Sequence, residues 1–439
     1  MDSRLLSWIS DIRNGKWRGY ESVWSRNYGE YVTIMKHVPG LKENWKQFSL
    51  LVLINAFVGG MVGLERTILP EIAETDFGIA ARSAIFSFIV VFGITKAISN
   101  YFAGRFAQKF GRKKMLITGW LFGIPVPFIL MFAPDWNWIV IANVFLGINQ
   151  GLAWSANVIM KIDLAGEKDR GLAMGLNEFA GYLAVAIVAF LTGWIAAEVG
   201  LRPYPFYLGI VLAFLGLFLT IFLVRDTAQF VEYEAMNSSE EQVKKNLFYE
   251  VSIGDRNLQS VSQAGLMTNF KDGMAWGAFP IFLAASGLSL TQTGIVVAVY
   301  PAFWGILQIV TGKISDYTGR KIMLWMGMLL QAAVLLIFPF LENYAAFILA
   351  AALLGTGTAI VYPTFLTAIA DLSHPNDRAE SIGVFRLWRD GGYALGAIFS
   401  GIIADMYDIN LAIFLTGILV LLSALWIIFR MNRLNEPVR

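Results

Sequence analysis

The sequence predicts an all-α membrane protein in which twelve transmembrane helices form two pseudo-symmetric six-helix bundles, with both termini in the cytoplasm. Three observations lead to this prediction: an apolar composition, a segment that occurs twice, and an alternation of basic residues between loops. Of the 439 residues, 56% are hydrophobic and 15% are charged, and the mean hydropathy is +0.59. A soluble globular chain of this length would be markedly more polar.

The apolar runs have the length of membrane-spanning helices. Each is about 20 residues long, which at about 1.5 Å per residue matches roughly 30 Å of hydrocarbon. The predicted spans are 47–66, 81–103, 114–133, 137–160, 171–196, 204–224, 262–284, 290–311, 321–341, 344–369, 380–404 and 408–430.

One segment begins at Gly104 and returns at Gly312, 208 residues later. The first copy reads GRFAQKFGRKKML and the second reads GKISDYTGRKIML. The same offset then pairs Gly147 with Gly355, Asp163 with Asp371, Asp169-Arg170 with Asp377-Arg378 and Gly175 with Gly383. A register kept through three apolar runs indicates two homologous halves, an organisation that many secondary transporters share.

Basic residues fall almost entirely in alternate loops. The N-terminal segment, the repeated loops, the loop after span 4 (which includes Lys161), the central loop and the tail hold them, whereas the opposite loops hold essentially Arg202. Because basic loops stay in the cytoplasm, this alternation favours twelve spans with both termini inside. The predicted domains are a cytoplasmic segment 1–46, a first bundle 47–225, a cytoplasmic linker 226–261, a second bundle 262–430 and a tail 431–439. Residues 1–46 are either an amphipathic helix on the inner leaflet or a solvated basic tail.

Several classes of function lack their residues. The chain has no cysteine, and neither His37 nor His374 stands in a metal-ligand spacing. No G-x-x-x-x-G-K-[ST] motif supports ATP-driven transport, and no catalytic His, Ser or acid cluster supports an enzyme. We expect no cofactor, no metal and no nucleic-acid partner. The expected partners are a small-molecule substrate and the lipid bilayer, with the protein acting as a monomer.

Span 11 carries three charges on one helix face, Arg386, Arg389 and Asp390, and Tyr393 extends the stripe. Charges inside a bilayer cost roughly 2.5–3.5 kcal/mol on insertion scales and usually face the bundle interior. One interpretation is that they only hold helices together. The other is that an arginine faces a central cavity and binds an anion.

Other spans carry isolated charges. Glu178 on span 5 is the counterpart of Arg386 at the 208-residue offset, so the two predict a gate, with a local hydrogen-bond network as the alternative. Span 7 carries Lys271 and Asp272, and span 2 carries Lys96. Both lysines are candidate substrate groups.

Span 4 presents a polar stripe. Asn143, Gln150 and Trp154 share one helix face, which should look inward because amides facing lipid lose their hydrogen bonds. Substrate binding and adhesion between helices are both open for this face. Glu65, near the outer end of span 1, predicts an outer-gate contact or a local ion pair.

The repeated loop resembles the cytoplasmic signature of the major facilitator superfamily, and the resemblance covers nearly the whole chain. The residues that carry it are Gly104, Gly111, Arg112, Gly312, Asp316, Gly319 and Arg320. In that family the loop acid pairs with charges on a neighbouring span and helps to lock the outward-facing state. Asp316 matches this acid, whereas Gln108 replaces it in the first half.

The resemblance implies a secondary transporter of the cell (inner) membrane, within a poorly characterised prokaryotic subgroup. Span 5 lacks a Gly-Pro signature like that of drug/proton antiporters. This absence weighs against multidrug efflux. The basic residues inside the spans favour an anionic or carboxylate-bearing solute. Proton coupling is an open option, with Glu178, Asp272 and Asp390 as carriers. The alternatives are an exporter of apolar or cationic compounds and a transporter-like sensor without flux.

Overall fold

The computed structural model describes residues 39–66, 68–78, 82–237, 246–288 and 290–432. All regular elements in these ranges are helices. Of the predicted cytoplasmic segment 1–46, residues 1–38 lie outside the described residues. The tail from residue 433 onward lies outside them as well.

The helix bounds follow the predicted spans, with breaks where proline or glycine interrupts the chain. In order, the α-helices are α1 (Trp45–Arg66), α2 (Leu69–Thr75), α3 (Arg82–Phe110), α4 (Arg112–Gly123), α5 (Pro125–Phe132), α6 (Trp136–Asn149), α7 (Ser155–Ala165), α8 (Arg170–Val199), α9 (Tyr207–Phe222), α10 (Ala228–Asn237), α11 (Leu247–Tyr249), α12 (Arg256–Ala285), α13 (Leu290–Thr318), α14 (Arg320–Ile337), α15 (Tyr344–Asp371), α16 (Arg378–Met406) and α17 (Ile409–Arg430). A π-helical turn, Gln150–Trp154, joins α6 to α7, and another, Glu250–Gly254, follows α11.

Within the described ranges, nine helical segments are long and apolar enough to cross a membrane. Three further helices, α3, α12 and α16, have 29, 30 and 29 residues. Helices α12 and α16 carry the buried charged residues of the predicted spans 7 and 11, and α3 carries the half-buried Lys96 of span 2. The composition of these three helices is correspondingly less apolar.

The two halves meet along two equivalent helix pairs. Helix α3 of the first half packs along α16 of the second, and α8 of the first packs along α13 of the second. At the 208-residue offset, α3 corresponds to α13 and α8 to α16, so the two contacts repeat each other.

Glycines permit close approach at these contacts. A Cβ on Gly104 would overlap the backbone of Ala379, and one on Gly312 would overlap the backbone of Gly171. The predicted signature loops are therefore mostly helical, because α3 and α13 continue through Gly104 and Gly312. Only Gly111 and Gly319 leave the helix, with φ of 88° and 86°, a conformation that suits glycine. We call the end of the bundle that carries these two turns the signature end.

Candidate substrate and coupling site

Asp390 is the centre of a buried polar cluster between the two halves. Its Oδ1 accepts hydrogen bonds from Arg389 Nε at 2.8 Å and Asn269 Nδ2 at 3.2 Å. Asn100 of α3 donates to its Oδ2. The carboxylate thus joins α3 of the first half to α12 and α16 of the second.

Arg386 extends this cluster into the first half. Its Nη1 donates to Ser155 Oγ at 2.8 Å, and Ser155 Oγ donates to Asn100 Oδ1 at 2.7 Å. Its Nε lies 3.9 Å from Asp390 Oδ2. All of these side chains are buried, so the arginine is held at the contact between halves and does not reach the surface.

Lys96 lies against aromatic faces. Its Nζ is 5.6 Å from the centre of the Trp154 ring and 5.7 Å from that of Phe92. Among the described residues, no carboxylate lies within ion-pair distance of this ammonium and no acceptor binds it. Aromatic faces attract a cation, but they leave its hydrogen bonds unmade.

Glu178 belongs to a network inside the first half. Its Oε1 accepts hydrogen bonds from Trp154 Nε1 at 3.1 Å and from Asn177 Nδ2 at 2.6 Å. Asn177 Oδ1 in turn accepts from Lys161 Nζ at 2.6 Å. The predicted gate partners Glu178 and Arg386 do not form a direct ion pair in the described structure. Instead, Trp154 binds Glu178, and the adjacent residue Ser155 binds Arg386.

Lys161 corrects an expectation. The sequence assigned it to a basic loop after span 4, but the helix continues to Ala165 and the side chain is fully buried. In the sequence, a lysine just beyond a predicted span end looks the same as a loop residue. Its hydrogen bond to Asn177 on α8 shows that Lys161 lies inside the bundle. A buried ammonium held by one amide oxygen makes Lys161 a further candidate site residue.

Lys271 and Asp272 form a second buried group in the other half. Lys271 Nζ lies 2.6 Å from Asp272 Oδ1 and donates to Tyr300 OH at 2.6 Å and Thr358 Oγ1 at 2.8 Å. Tyr300 OH donates to Asp272. The lysine predicted to meet substrate is therefore paired with its neighbour, and Tyr300 and Thr358 are partners that sequence reasoning missed.

Aromatic rings pack across the halves beside these groups. The ring of Tyr182 on α8 lies 4.3 Å from that of Trp304 on α13, and Trp304 lies 4.8 Å from Tyr362. The Arg389 guanidinium lies 5.2 Å from the Tyr362 ring. Tyr393, half-buried on α16, faces Gly93 of α3. The buried cations thus border an aromatic surface shared by both halves.

The polar face of span 4 contacts neighbouring helices. Asn143 Nδ2 donates to Glu65 Oε2 at 3.1 Å, and Gln150 Nε2 donates to the carbonyl of Val58 at 2.7 Å. Both partners lie on α1. These contacts match the adhesion interpretation more closely than direct exposure to substrate, while Trp154 of the same face meets Glu178 and Lys96.

The signature residues form the same ion pair twice. Arg112 Nε lies 3.3 Å from Asp163 Oδ2, and Arg320 Nε lies 2.9 Å from Asp371 Oδ2. Asp316 accepts from Arg320 and from the backbone N–H groups of Gly171 and Leu172, at 2.8 and 3.2 Å, in the first turn of α8. Its counterpart Gln108 donates to the carbonyl of Asn376 at 2.5 Å. The contact between α8 and α13 is thus closed by the carboxylate of Asp316, and the contact at the end of α3 is closed by the neutral amide of Gln108.

The linker helix α10 joins both halves at the signature end. Glu234 Oε1 accepts from Arg170 Nη2 at 2.5 Å and from Arg378 Nη2 at 2.7 Å, and its Oε2 accepts from Arg378 Nη1 at 2.8 Å. Burial alone would raise the pKa of Glu234, but the hydrogen bonds and charges of Arg378 and Arg170 outweigh burial and hold the pKa below its ordinary value.

Most of the chain matches a known family. The model of the Major Facilitator Superfamily covers residues 49–249 and 262–439. The chain belongs to the major facilitator superfamily. It is accordingly a multi-pass transporter-family protein of the cell (inner) membrane, and its relatives are transporters, not enzymes. Members of the superfamily bind small-molecule substrates within the membrane.

Individual relatives are distant but span the chain. It is 24% identical over 374 residues to the "Proton-coupled antiporter flippase LtaA" of Staphylococcus haemolyticus, covering 83% of this chain and 88% of the relative. It is 24% identical over 405 residues to the "Multidrug resistance protein MdtG" of Salmonella heidelberg, covering 89% and 97%.

Two solved structures share the fold. The human organic anion transporter MFSD10 (TETRAN) has a TM-score of 0.72 at 11% identity, covering 87% of this chain and 99% of that one. FucP in the outward conformation has a TM-score of 0.72 at 14% identity, covering 88% and 98%.

Proposed function

We propose that this chain is a secondary active transporter that moves a small anionic or carboxylate-bearing solute by alternating access between two six-helix halves. The proposal includes twelve transmembrane helices, with α3, α12 and α16 among them, both termini in the cytoplasm, and a monomer as the transporting unit. The bundles are residues 47–225 and 262–430, joined by a cytoplasmic linker at 226–261. The alternation of basic loops and the packing of α3, α12 and α16 inside the bundle support this arrangement.

We choose an anion as the substrate because Lys96 has no hydrogen-bond acceptor among the described residues. The connected groups at the contact between halves hold four basic side chains, Lys96, Lys161, Arg386 and Arg389, but two acidic ones, Glu178 and Asp390. An excess of positive charge inside the bundle is unfavourable unless an anion compensates it. A solute carboxylate beside Lys96 would supply that charge and leave again when the halves exchange their exposure.

Proton coupling would place the titrating group among the buried acids. Asp390 and Asp272 each touch a basic group, and Glu178 accepts hydrogen bonds from Trp154 and Asn177. Protonation of any one of these acids would release a neighbouring cation or hydrogen bond. Asp390 is the strongest candidate, because it alone binds residues of both halves.

Export of apolar or cationic compounds is the second candidate. It is favoured by the similarity to a protein named for multidrug resistance and by the rings of Tyr182, Trp304 and Tyr362. The missing Gly-Pro signature on span 5 argues against it. In this case the buried acids would bind the substrate, and Lys96 would not be needed.

Thermal-shift screening of the purified protein separates the two candidates. The panel contains organic carboxylates, inorganic anions, and apolar cations. We expect at least one anion to stabilise the protein and its Lys96→Arg variant, but not Lys96→Gln, in which the charge is gone. Lys114→Gln, at an exposed position, is the control. Stabilisation by apolar cations alone, unaffected by Lys96→Gln, would replace the anion proposal. Proteoliposomes that bind the stabilising anion but never exchange it would instead indicate a sensor.

A further inference from the structure

A surface cleft lies at the signature end, where the start of α12 meets the last turns of α17. It encloses about 350 Å³. Its lining combines two arginines with four apolar side chains: Arg256, Leu422, Leu425, Trp426, Phe429 and Arg430. We call it the arginine cleft.

The two arginines are available for an anion. Among the described residues, neither guanidinium lies within ion-pair distance of a carboxylate, whereas Arg105, Arg320 and Arg378 at the same end each bind one. Arg256 is exposed.

Arg430 is held in a fixed orientation. Its Nε donates to Gln259 Oε1 at 3.2 Å, and its guanidinium lies 5.3 Å from the Trp426 ring. Trp426 Nε1 donates to the same Gln259 oxygen at 3.0 Å. One side of the guanidinium is thus occupied, and its terminal nitrogens remain for a ligand. A planar guanidinium suits bidentate binding of phosphate.

The apolar wall selects the kind of anion. Leu422, Leu425, Trp426 and Phe429 follow one face of α17, with exposed fractions of 56%, 36%, 44% and 79%. This face is about 10 Å long at about 1.5 Å per residue. A free inorganic anion would gain nothing from it, whereas an acyl chain would cover it.

A second cleft shows that the arginines are particular to this site. It encloses about 280 Å³ at the opposite end of the bundle, and it is lined by Phe128, Ile129, Phe132, Ala133, Pro134 and Trp138. It has a comparable apolar wall and tryptophan but no charged side chain. Lipid tails alone would fit either cleft, and a charged headgroup fits only the arginine cleft.

We propose that the arginine cleft binds an anionic phospholipid, with the headgroup phosphate between Arg256 and Arg430 and an acyl chain along Leu422, Leu425 and Phe429. Basic pockets between transmembrane helices commonly bind such headgroups. Because the cleft joins α12 to α17, both in the second half, a bound lipid would stabilise that half.

The test measures melting temperature of the purified full chain in neutral detergent, with dioleoyl phosphatidylglycerol, dioleoyl phosphatidylcholine or inorganic phosphate added. We expect phosphatidylglycerol to raise it by several degrees and the other two to have little effect. The double variant Arg256→Gln/Arg430→Gln should lose more than half of the shift, and Arg256→Lys/Arg430→Lys should keep most of it. Lys109→Gln/Arg225→Gln removes two exposed charges from the same end and should keep the full shift.

Two outcomes would overturn the proposal. One is a full phosphatidylglycerol shift in Arg256→Gln/Arg430→Gln. The other is an equal shift with inorganic phosphate, which would indicate a free-anion site. If the double variant does not fold, native mass spectrometry of the two single variants decides: each should retain less phosphatidylglycerol than the wild type, and equal retention refutes the site.

Discussion

Arg170 and Arg378, equivalent residues of the two halves, donate hydrogen bonds to the same carboxylate oxygen, Oε1 of Glu234. The acid lies on the linker helix α10, so the segment that connects the halves also ties them together. Both arginines are buried. Removal of the acid would leave two like charges facing each other with less compensation.

We therefore expect Glu234→Gln to loosen the signature end. Because the chain has no cysteine, a single Ser381→Cys substitution, at a buried position near the start of α16, reports opening through its rate of maleimide labelling. Labelling should be several-fold faster in Glu234→Gln, and unchanged in Glu232→Gln, an exposed acid on the same helix. Equal rates in all three proteins would show that Glu234 does not hold this end closed.

The stabilising effect of Glu234 should depend on pH in one direction. Its folded pKa lies below the ordinary value of 4.5, so the acid contributes stability above that value and loses it as the pH falls through the lower folded pKa. The difference in melting temperature between wild type and Glu234→Gln should be constant from about pH 8 to about pH 5.5, and should shrink at lower pH. A difference that vanishes already near neutral pH would contradict this assignment.

Asp390→Asn should destabilise the protein strongly. The substitution leaves Arg389 and Arg386 buried without their carboxylate, and loss of one partner of a buried ion pair typically costs about 3–5 kcal/mol. The melting temperature should fall well below that of Asp405→Asn, an exposed acid on the same helix. Arg389→Gln/Asp390→Asn should recover part of the loss, since it removes both charges. Additive losses in the double variant would mean that the two residues act independently.

Lys161→Met should separate stability from transport. Among the described residues, Lys161 has no carboxylate within ion-pair distance, and burial of an unpaired charge is costly. The melting temperature should therefore stay or rise when an apolar side chain replaces the lysine. Transport of the solute should fall at least about tenfold, because the variant lacks the charge that faces the Asn177–Glu178 network. A loss of only about 1.4 kcal/mol of binding free energy is enough for a tenfold change. Lys168→Met, at an exposed position, should affect neither property. Normal uptake in Lys161→Met would remove this residue from the site.

Gly383→Ala should weaken the contact between α16 and α3. Its Cβ would lie 2.9 Å from the carbonyl oxygen of Asn100 and 3.0 Å from Gly104 Cα, both backbone atoms that cannot yield easily. Overpacking of this kind costs about 1–3 kcal/mol. Gly401→Ala on the same helix meets no atom within 4 Å and should gain about 0.5–1 kcal/mol from helix propensity. Equal melting temperatures of the two variants would rule out tight contact at Gly383.

The sequence predicted the architecture because its signals are periodic. The 208-residue offset indicated two halves, and the equivalence of Asp163 with Asp371 anticipated two acids that the structure pairs with Arg112 and Arg320. Charges on spans 2, 7 and 11 likewise marked the helices that carry the buried cluster. A costly residue inside an apolar run is conspicuous in any sequence.

The sequence alone could not predict the hydrogen-bond partners of the buried residues or their depth in the bundle. Lys161 looked like a loop residue because nothing local shows that α7 continues past it. Ser155 and Tyr300 are unremarkable in an apolar run and gain meaning only from Arg386 and Asp272 on distant helices. Glu234 lies in a polar linker where several acids look alike, and only the fold brings it to Arg170 and Arg378. Such pairings depend on helix rotation and register, which a hydrophobic pattern fixes only coarsely.

The two contacts between halves contain acids at different depths. Asp316 binds the first turn of α8 close to the signature end, whereas Asn100 and Asp390 tie α3 to α16 further inside. In the proposed transport cycle, a solute or proton from the opposite side would meet Asp390 before Asp316. In that proposed cycle, the helices would have to transmit the release of the Asp316 contact, which requires each half to move as a rigid body. A substitution that makes α8 or α16 flexible midway should then uncouple arrival of the solute from opening.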